Sequence, residues 1–224
     1  MAAALPSGEE FNRQNLSMAR YTGPVCKICR REGEKLFLKG QRCYSEKCAY
    51  EKRPYSPGEH GQDMRRKEGG YSVRLREKQK LKRSFGLLEE QFRRYFHQAE
   101  KKKGITGETL LQTLECRLDN MVYRLGFSPS RRAARQMVRH RHFLVNGKIV
   151  DVPSYQVRAG QIISVQEKSK PLDIIHQAMK SAREDLPYLR LDKARMEGEL
   201  LEIPKRMDIP VTAQEQLIVE LYSK

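Results

Sequence analysis

Two close pairs of cysteines near the start of the chain constrain its fold more than any other feature. Their spacing is Cys26-x2-Cys29 and Cys43-x4-Cys48, with thirteen residues between the pairs, in a stretch with little helical periodicity. Two thiolates at this spacing can bind one metal ion from a tight turn, and a second pair completes the four-sulfur shell that structural zinc favours. The sequence therefore predicts one zinc ion bound by Cys26, Cys29, Cys43 and Cys48, with an iron–sulfur cluster or unligated thiols as the alternatives.

The rest of the chain lacks the features of a secreted or membrane protein. Cys116 lies inside a helical pattern far from the other cysteines, which predicts a small core residue rather than a ligand. No stretch reaches the roughly 18 apolar residues that span a bilayer, and residues 1–17 carry no signal-peptide core. We expect a cytoplasmic protein without a disulfide framework or a membrane partner. Residues 1–17 are expected to be a disordered extension or the product of an upstream start.

The charge balance is strongly basic, with 44 Lys and Arg against 28 Asp and Glu and a net charge of +16. Hydrophobic residues make up only 38% of the chain, so its hydrophobic cores should be small. A clustered, Arg-rich excess of this size is typical of proteins that bind a polyanion. A charge excess kept only for solubility is the alternative.

Hydrophobic patterns predict two helices followed by a compact α+β module. The first helix is basic and runs from residue 71 to residue 85, and the second covers about 88–103. The module, about residues 114–168, begins with two helices, the second of which Ser130 can cap. Alternating apolar residues then surround the pair Asn146-Gly147, which is the strongest short signal for a β-hairpin.

Arginines at helical spacing within this module predict contacts with RNA phosphates. Arg131, Arg135 and Arg139 lie at i, i+4 and i+8 and so share one helix face. Arg117 and Arg124, seven residues apart, share a face of the preceding helix in the same way. Solvated charges on ordinary amphipathic helices are the alternative, which the scarcity of nearby acidic residues disfavours. A less specific basic run occupies the first helix, where RNA contact and a plain exposed face are equally supported: Arg74, Arg76, Lys78, Lys80, Lys82 and Arg83.

Sequence blocks along the whole chain resemble the family of bacterial small-subunit ribosomal protein four in its zinc-binding, four-cysteine form. They include RYTGPVCKICRREG, PGEHGQ, RLREKQKLKRSFG, LECRLDNMVYRLGF, SRRAARQMVRH and VNGKIVDVPSYQVRAG, in consistent order from Met18 to Lys224. The chain departs from the family pattern at Arg141, where members often carry a glycine at a left-handed turn. It departs again at Gln161, where an acidic residue is common, and before Met18, where nothing matches.

The resemblance implies an α+β fold with a discontinuous domain order. A zinc-binding segment would cover residues 18–59, and a mainly helical domain would cover 60–110 and be completed by 180–224. An RNA-binding module of two helices and a small β-sheet would be inserted at 111–179. The implied function is structural: direct binding to the 5′ domain of 16S-type small-subunit rRNA, nucleation of subunit assembly, and a contribution to translational accuracy.

The implied surroundings are ribosomal protein five and the path along which mRNA enters the small ribosomal subunit, where Arg65, Arg66 and Lys67 would lie. An RNA-modifying enzyme, or a translational regulator that binds mRNA through the same module, is the alternative. The five histidines lack metal-ligand spacing and no nucleophile or nucleotide-binding motif appears, so the sequence favours a protein that is not an enzyme and has no small-molecule substrate. With the residues already named, the candidate RNA-binding set includes Arg20, Arg30, Arg31, Asn120, Ser130, Arg132, Gln136 and His140.

Overall fold

The computed structural model describes residues 20–62, 69–181 and 186–223. The extension expected over residues 1–17, and the candidates Arg65, Arg66 and Lys67, lie outside the described residues. Within them the chain is a mixture of helices and a sheet, and its buried side chains form three clusters. None of the helices in these ranges combines the length and the apolar character needed to cross a membrane.

The first cluster belongs to an N-terminal unit, residues 20–62. Its elements are helix α1 (Val25–Glu32), a 3-10 turn (Gly40–Tyr44) and helix α2 (Ala49–Lys52). Helix α1 differs from the expectation of little helical structure around the cysteines. It forms because Val25, Ile28 and Cys29 fall at the i, i+3, i+4 spacing that buries one side of a helix, and it ends at Gly33 in a left-handed conformation.

The second cluster holds together a helical unit made from two separate parts of the chain. Its helices are α3 (Gly70–Ser84), α4 (Glu89–Glu100), α5 (Thr106–Glu115) and, after a 3-10 turn at Arg206–Asp208, α9 (Glu215–Tyr222). The predicted basic helix is confirmed as α3, and Gly86, with φ of 65°, reverses the chain into α4. Leu81, Phe92 and Ile218 are fully buried at the centre of this unit.

The third cluster defines a sheet unit, residues 116–200. Its helices are α6 (Leu118–Arg124), α7 (Arg131–Arg139) and α8 (Asp173–Lys180), with a 3-10 turn at Glu167–Ser169. Its strands are β1 (Phe143–Val145), β2 (Lys148–Ile149), β3 (Ile162–Val165), β4 (Leu189–Asp192) and β5 (Glu197–Leu200). The strands form one antiparallel sheet in the order β2-β1-β3-β5-β4. Helices α6 and α7 pack over it through the fully buried Val122, Ala134 and Val138.

Two local signals read from the sequence of this unit are confirmed, as is one turn that the family resemblance implies. Asn146 and Gly147 both have positive φ, 48° and 76°, as the two-residue hairpin between β1 and β2 requires. The Ser130 hydroxyl accepts a hydrogen bond from the Ala133 backbone N–H at 3.3 Å and caps α7. Arg141 has φ of 65°, the left-handed turn at which glycine would be easier to accommodate.

The sheet extends past residue 179, where the RNA-binding module was expected to end. Strand β5 pairs with β3 through Ile163 and Gly198, and β4 pairs with β5, so both strands belong to the sheet unit. Gly198 lies so close to Leu125 that an added Cβ would come within 2.4 Å of a leucine methyl carbon. At the other boundary, α5 runs across residue 111 and its leucines pack in the helical unit. Only the chain after β5 returns to that unit.

Candidate nucleic-acid interface

Helix α7 presents its three equivalently spaced arginines at very different depths. Arg139 is exposed, Arg131 is partly buried, and Arg135 is only 9% exposed. The sequence pattern correctly places them away from Ala134 and Val138, which are fully buried against the sheet. It does not show that the neighbouring units cover the first two turns of the helix.

Arg117 lies in the interior, where the helical unit meets the sheet unit. Its Nε and Nη2 donate to the two carboxylate oxygens of Asp119 at 3.0 and 2.6 Å. Its Nη1 donates to the hydroxyl of Tyr95 on α4 at 2.6 Å. Burial acts to lower the pKa of Arg117, but the charge of Asp119 and the interactions with Asp119 and Tyr95 together outweigh it, so the pKa lies above its usual value and the guanidinium stays charged. Arg135 Nη1 lies 3.6 Å from the same carboxylate of Asp119.

A second buried charge pair lies at the junction of α5 and α6. Arg124 Nε donates to Glu115 Oε1 at 2.5 Å, and the Tyr188 hydroxyl donates to the same oxygen at 3.0 Å. Glu115 is fully buried. Burial acts to raise its pKa, but the charges of Arg124 and Arg131 and the hydrogen bonds to Glu115 together outweigh it and lower the pKa below its usual value. Through the hydrogen bond from Tyr188, the segment before β4 is therefore attached to Glu115 at the end of the helical unit.

These contacts correct two of the expected RNA contacts. Arg117 has no exposed surface and Arg124 is 8% exposed, so neither side chain forms part of a surface that could meet a phosphate. The acidic partners that seemed scarce are Glu115 and Asp119, which lie beside them in the same block LECRLDN. Asp119 lies two positions from Arg117, and Glu115 lies nine positions from Arg124. The spacing of the arginines along a helix face does not include these acidic residues, although they could have indicated buried ion pairs.

Asn120 and Ser130, which were also expected to bind RNA, are buried and have structural roles. Asn120 is 1% exposed; its amide nitrogen donates to the Glu115 backbone oxygen at 2.8 Å. Its amide oxygen accepts from Arg131 Nε at 2.7 Å. The Arg131 guanidinium lies between two rings, 4.7 Å from the centre of Phe85 and 4.9 Å from that of Tyr123. Arg131 thus joins the corner after α3 to the sheet unit.

The basic run on α3 is neither a free RNA-binding face nor a plain exposed one. Each of its six cations lies in an ion pair: Arg74 with Glu220, Arg76 and Arg83 with Glu32, Lys78 and Lys82 with Glu89, and Lys80 with Glu34 and Glu77. Glu32 and Glu34 belong to the N-terminal unit, so the run attaches that unit to the helical unit. The Glu32 side chain is fully buried, and burial outweighs the Arg83 and Arg76 charges and raises its pKa.

The three units enclose a cavity of about 350 Å³ that gathers several of the remaining candidates. The N-terminal unit contributes Arg20 and Arg31, and α7 contributes Arg131, Arg132 and Arg135. Lys82 and Arg83 line it from the end of α3. Lys27 also lines the cavity and is exposed, but the sequence patterns do not single it out because it lies between the metal-ligand candidates Cys26 and Cys29.

The other RNA-binding candidates lie outside the cavity lining. Gln136, Arg139 and His140 are exposed at the end of α7. Arg30 is partly buried; its Nε donates to the Tyr55 backbone oxygen at 2.9 Å, and its guanidinium lies 4.8 Å from the centre of the Tyr55 ring. Arg30 therefore holds the loop after α2, whereas the other three side chains are open to a partner.

The four paired cysteines all lie in the N-terminal unit, and all are reduced. Burial raises the pKa of Cys29, and its thiol also interacts electrostatically with those of Cys43, Cys26 and Cys48. Burial likewise raises the pKa of Cys43, whose sulfur accepts a hydrogen bond from the Lys39 backbone N–H at 3.4 Å. Among residues 20–62, 69–181 and 186–223, no three His, Cys, Asp or Glu side chains are grouped closely enough to hold a metal ion. Cys116 is buried as expected, and burial raises its pKa to about 12.

Comparison with known proteins identifies the family. A profile described as "Ribosomal protein S4/S9 N-terminal domain" matches residues 20–115, and an "S4 domain" profile matches residues 116–163. A small ribosomal subunit protein uS4 from Thermus thermophilus is 56% identical over 209 residues, which is 92% of this chain and all of the relative. The chain belongs to the uS4 family. The uS4 proteins of Syntrophus aciditrophicus and Thermoanaerobacter pseudethanolicus, at 56% and 54% identity, cover the same share of this chain and are also matched over their full length.

The junction between the two uS4 family profiles coincides with the buried charges. The profiles meet between Glu115 and Cys116. On either side of this point lie Glu115, paired with Arg124, and Arg117, paired with Asp119 and Tyr95. The boundary in sequence is therefore a closely bonded contact in the folded chain.

The buried position of Arg117 leads to a prediction about stability. In Arg117→Ala, Asp119 stays buried without its bidentate partner, which should cost about 3–5 kcal/mol of unfolding free energy. Arg139→Ala, at an exposed position of the neighbouring helix, should change it by no more than about 0.5 kcal/mol. Urea denaturation followed by circular dichroism measures both. Equal stabilities of the two variants would contradict the buried pair.

Proposed function

We propose that this chain is a structural RNA-binding protein of the small ribosomal subunit. The observation that carries the proposal is its similarity, over 92% of its length, to proteins named as small ribosomal subunit protein uS4. Such names describe a component of the ribosome, which favours a structural role over that of an RNA-modifying enzyme. The part of the RNA that we propose it binds is the 5′ domain of 16S-type rRNA, where early binding would nucleate assembly.

Binding would depend mainly on the arginines and lysines that the folded chain leaves without a carboxylate. Among the described residues, Arg20, Lys27, Arg31, Arg132 and Arg139 have no acidic side chain within ion-pair distance. They come from the N-terminal unit and from α7, two surfaces that adjoin the same cavity. Phosphate contacts of this kind supply affinity and register, while the shape of the folded RNA supplies selectivity.

The finer surroundings are also a proposal. The exposed parts of the chain would lie near ribosomal protein five and near the path along which mRNA enters the subunit. Through that position the protein would contribute to translational accuracy. The support is the family resemblance of the charged segment that contains Arg65, Arg66 and Lys67, which lie outside the described residues.

RNA binding through α7 is tested by measuring affinity against salt. Arg132→Ala and Arg139→Ala should each weaken binding to a transcript of the 5′ domain of 16S-type rRNA. Each should reduce the magnitude of the salt slope by up to about one, because fewer counterions are released. Arg94→Ala is the matched control, since Arg94 is an exposed helical arginine on α4 that pairs only with Glu90 among the described residues. If affinity and slope in both α7 variants equal those of the control, this surface does not bind RNA.

We further propose that the N-terminal unit binds one zinc ion through Cys26, Cys29, Cys43 and Cys48. The support is the chemistry of the donor set, because four reduced thiols at the paired spacing interact electrostatically with one another and zinc favours four sulfurs. The four sulfurs would have to move closer together to coordinate one ion. Backbone N–H donation to the Cys43 sulfur would stabilise its thiolate. When bound, zinc would cross-link the turn after α1 and the residues before α2, adding stability to a unit with a small core.

Elemental analysis of protein purified without chelator tests the zinc proposal. We expect one zinc per chain, lost in Cys29→Ser and kept in Cys116→Ala, which removes the cysteine outside the pairs. Removal of zinc should unfold the N-terminal unit before the helical unit. A chain without stoichiometric metal, or a disulfide among the four cysteines, would refute the proposal, and an iron–sulfur absorption band would replace zinc with the cluster.

A further inference from the structure

The cavity between the three units has features that phosphate binding by surface arginines does not explain. It is recessed, with its floor and walls formed by α1, the corner after α3, and the first turns of α7. The close approach of the N-terminal unit to the sheet unit helps to define it, since Gly40 touches the Pro129 backbone oxygen just before α7. Its volume of about 350 Å³ lies within the range of pockets that hold small ligands.

The charge of the lining selects an anion. Eight of the described lining side chains are Arg or Lys; Lys82 and Arg83 pair with Glu89 and Glu32, but four others have no carboxylate of a described residue within ion-pair distance: Arg20, Lys27, Arg31 and Arg132. The one carboxylate in the lining, Asp119, is already paired by Arg117 in a bidentate manner. Arg135 Nη1 is buried; Asp119 lies 3.6 Å from it, which is too far for a hydrogen bond, and this nitrogen has no hydrogen-bond partner among the described residues. A buried charged donor left in this state is destabilising, and a phosphate oxygen would satisfy it.

The remaining lining is apolar and includes an aromatic ring held in a strained conformation. Phe37 has φ of 50°, which a bulky side chain rarely adopts, and strain of this kind gathers at ligand sites. Phe37 is 37% exposed, and its ring stacks on Tyr44 with 4.8 Å between centres. Leu38 and Ile28 extend the apolar wall beside it.

We propose that this cavity receives one unpaired nucleotide of the bound RNA, with its base stacked on Phe37 and its phosphate held by Arg135. Unpaired bases that leave an RNA stack are commonly bound on aromatic rings, with their backbone held by cations. Arg132 and Arg20, which line the same cavity, provide the neighbouring positive charge. The inference rests on the RNA-binding function proposed above and specifies what one site within it recognises.

The test combines Phe37 variants with abasic RNA. A transcript of the 5′ domain of 16S-type rRNA is prepared with single abasic sites at each unpaired nucleotide, and its affinity for the full-length protein is measured at several salt concentrations. Phe37→Leu should weaken binding between about 5- and 150-fold, the range of one lost base stack, with the salt slope unchanged because no phosphate contact is lost. Phe37→Asn also removes the ring, but asparagine adopts a positive φ with less strain. It should weaken binding as much as Phe37→Leu does, which would assign the loss to the missing ring and not to a damaged fold.

One abasic position should weaken binding to the wild type and have no further effect in Phe37→Leu. Tyr44 stacks on Phe37 but does not line the cavity. Tyr44→Ala should therefore keep the wild-type sensitivity to that abasic position. If every abasic site acts equally in the wild type and in Phe37→Leu while RNA still binds tightly, the nucleotide site is refuted and the wider function stands. If the wild type does not bind the transcript, the proposed RNA-binding function is refuted, and the nucleotide site with it. If adenosine monophosphate alone saturates the cavity without displacing RNA, the site serves a free nucleotide and the proposal is again overturned.

Discussion

The buried contact of Arg117 with Asp119 and Tyr95 lies where the helical unit meets the sheet unit, and the candidate interface depends on it. Removing these charges from water is costly, and the cost is offset only because each nitrogen of the guanidinium finds an acceptor in good geometry. The same carboxylate is the nearest countercharge to Arg135. The pair that joins two units thus also helps to place a cation at the base of the cavity.

Much of the net positive charge has a structural role instead of an RNA-binding one. The cations of α3 pair with carboxylates from the N-terminal unit, from α4 and from α9. Arg124 and Arg117 form buried ion pairs in the interior, and Arg131 is packed between two rings. Of the described cations that lie in no ion pair, Arg20, Lys27, Arg31 and Arg132 line the cavity, and Arg139 lies at the end of α7. This group comes from two units that meet at one place, which favours a defined binding position there.

Features encoded by neighbouring residues could be predicted from the sequence. The Asn146-Gly147 turn and the Ser130 cap follow from local backbone preferences, whereas the left-handed turn at Arg141 follows from the family resemblance. The depth of each arginine could not, because it depends on partners far along the chain: Tyr95 lies 22 residues from Arg117, and Tyr188 lies 73 residues from Glu115. The periodicity of a helix identifies a face but does not show which neighbouring unit covers it. For the same reason the attachment of β4 and β5 to the sheet was missed.

The central claim is that the contact between the units positions the RNA-binding residues, and the Tyr95→Phe variant tests it most directly. Tyr95 is only 8% exposed, and the substitution removes one hydroxyl that accepts from Arg117 without altering any surface residue. RNA affinity measured against salt should fall while the salt slope stays the same, since no phosphate contact is removed. An unchanged affinity in a variant shown to be less stable would mean that the buried contact serves folding alone.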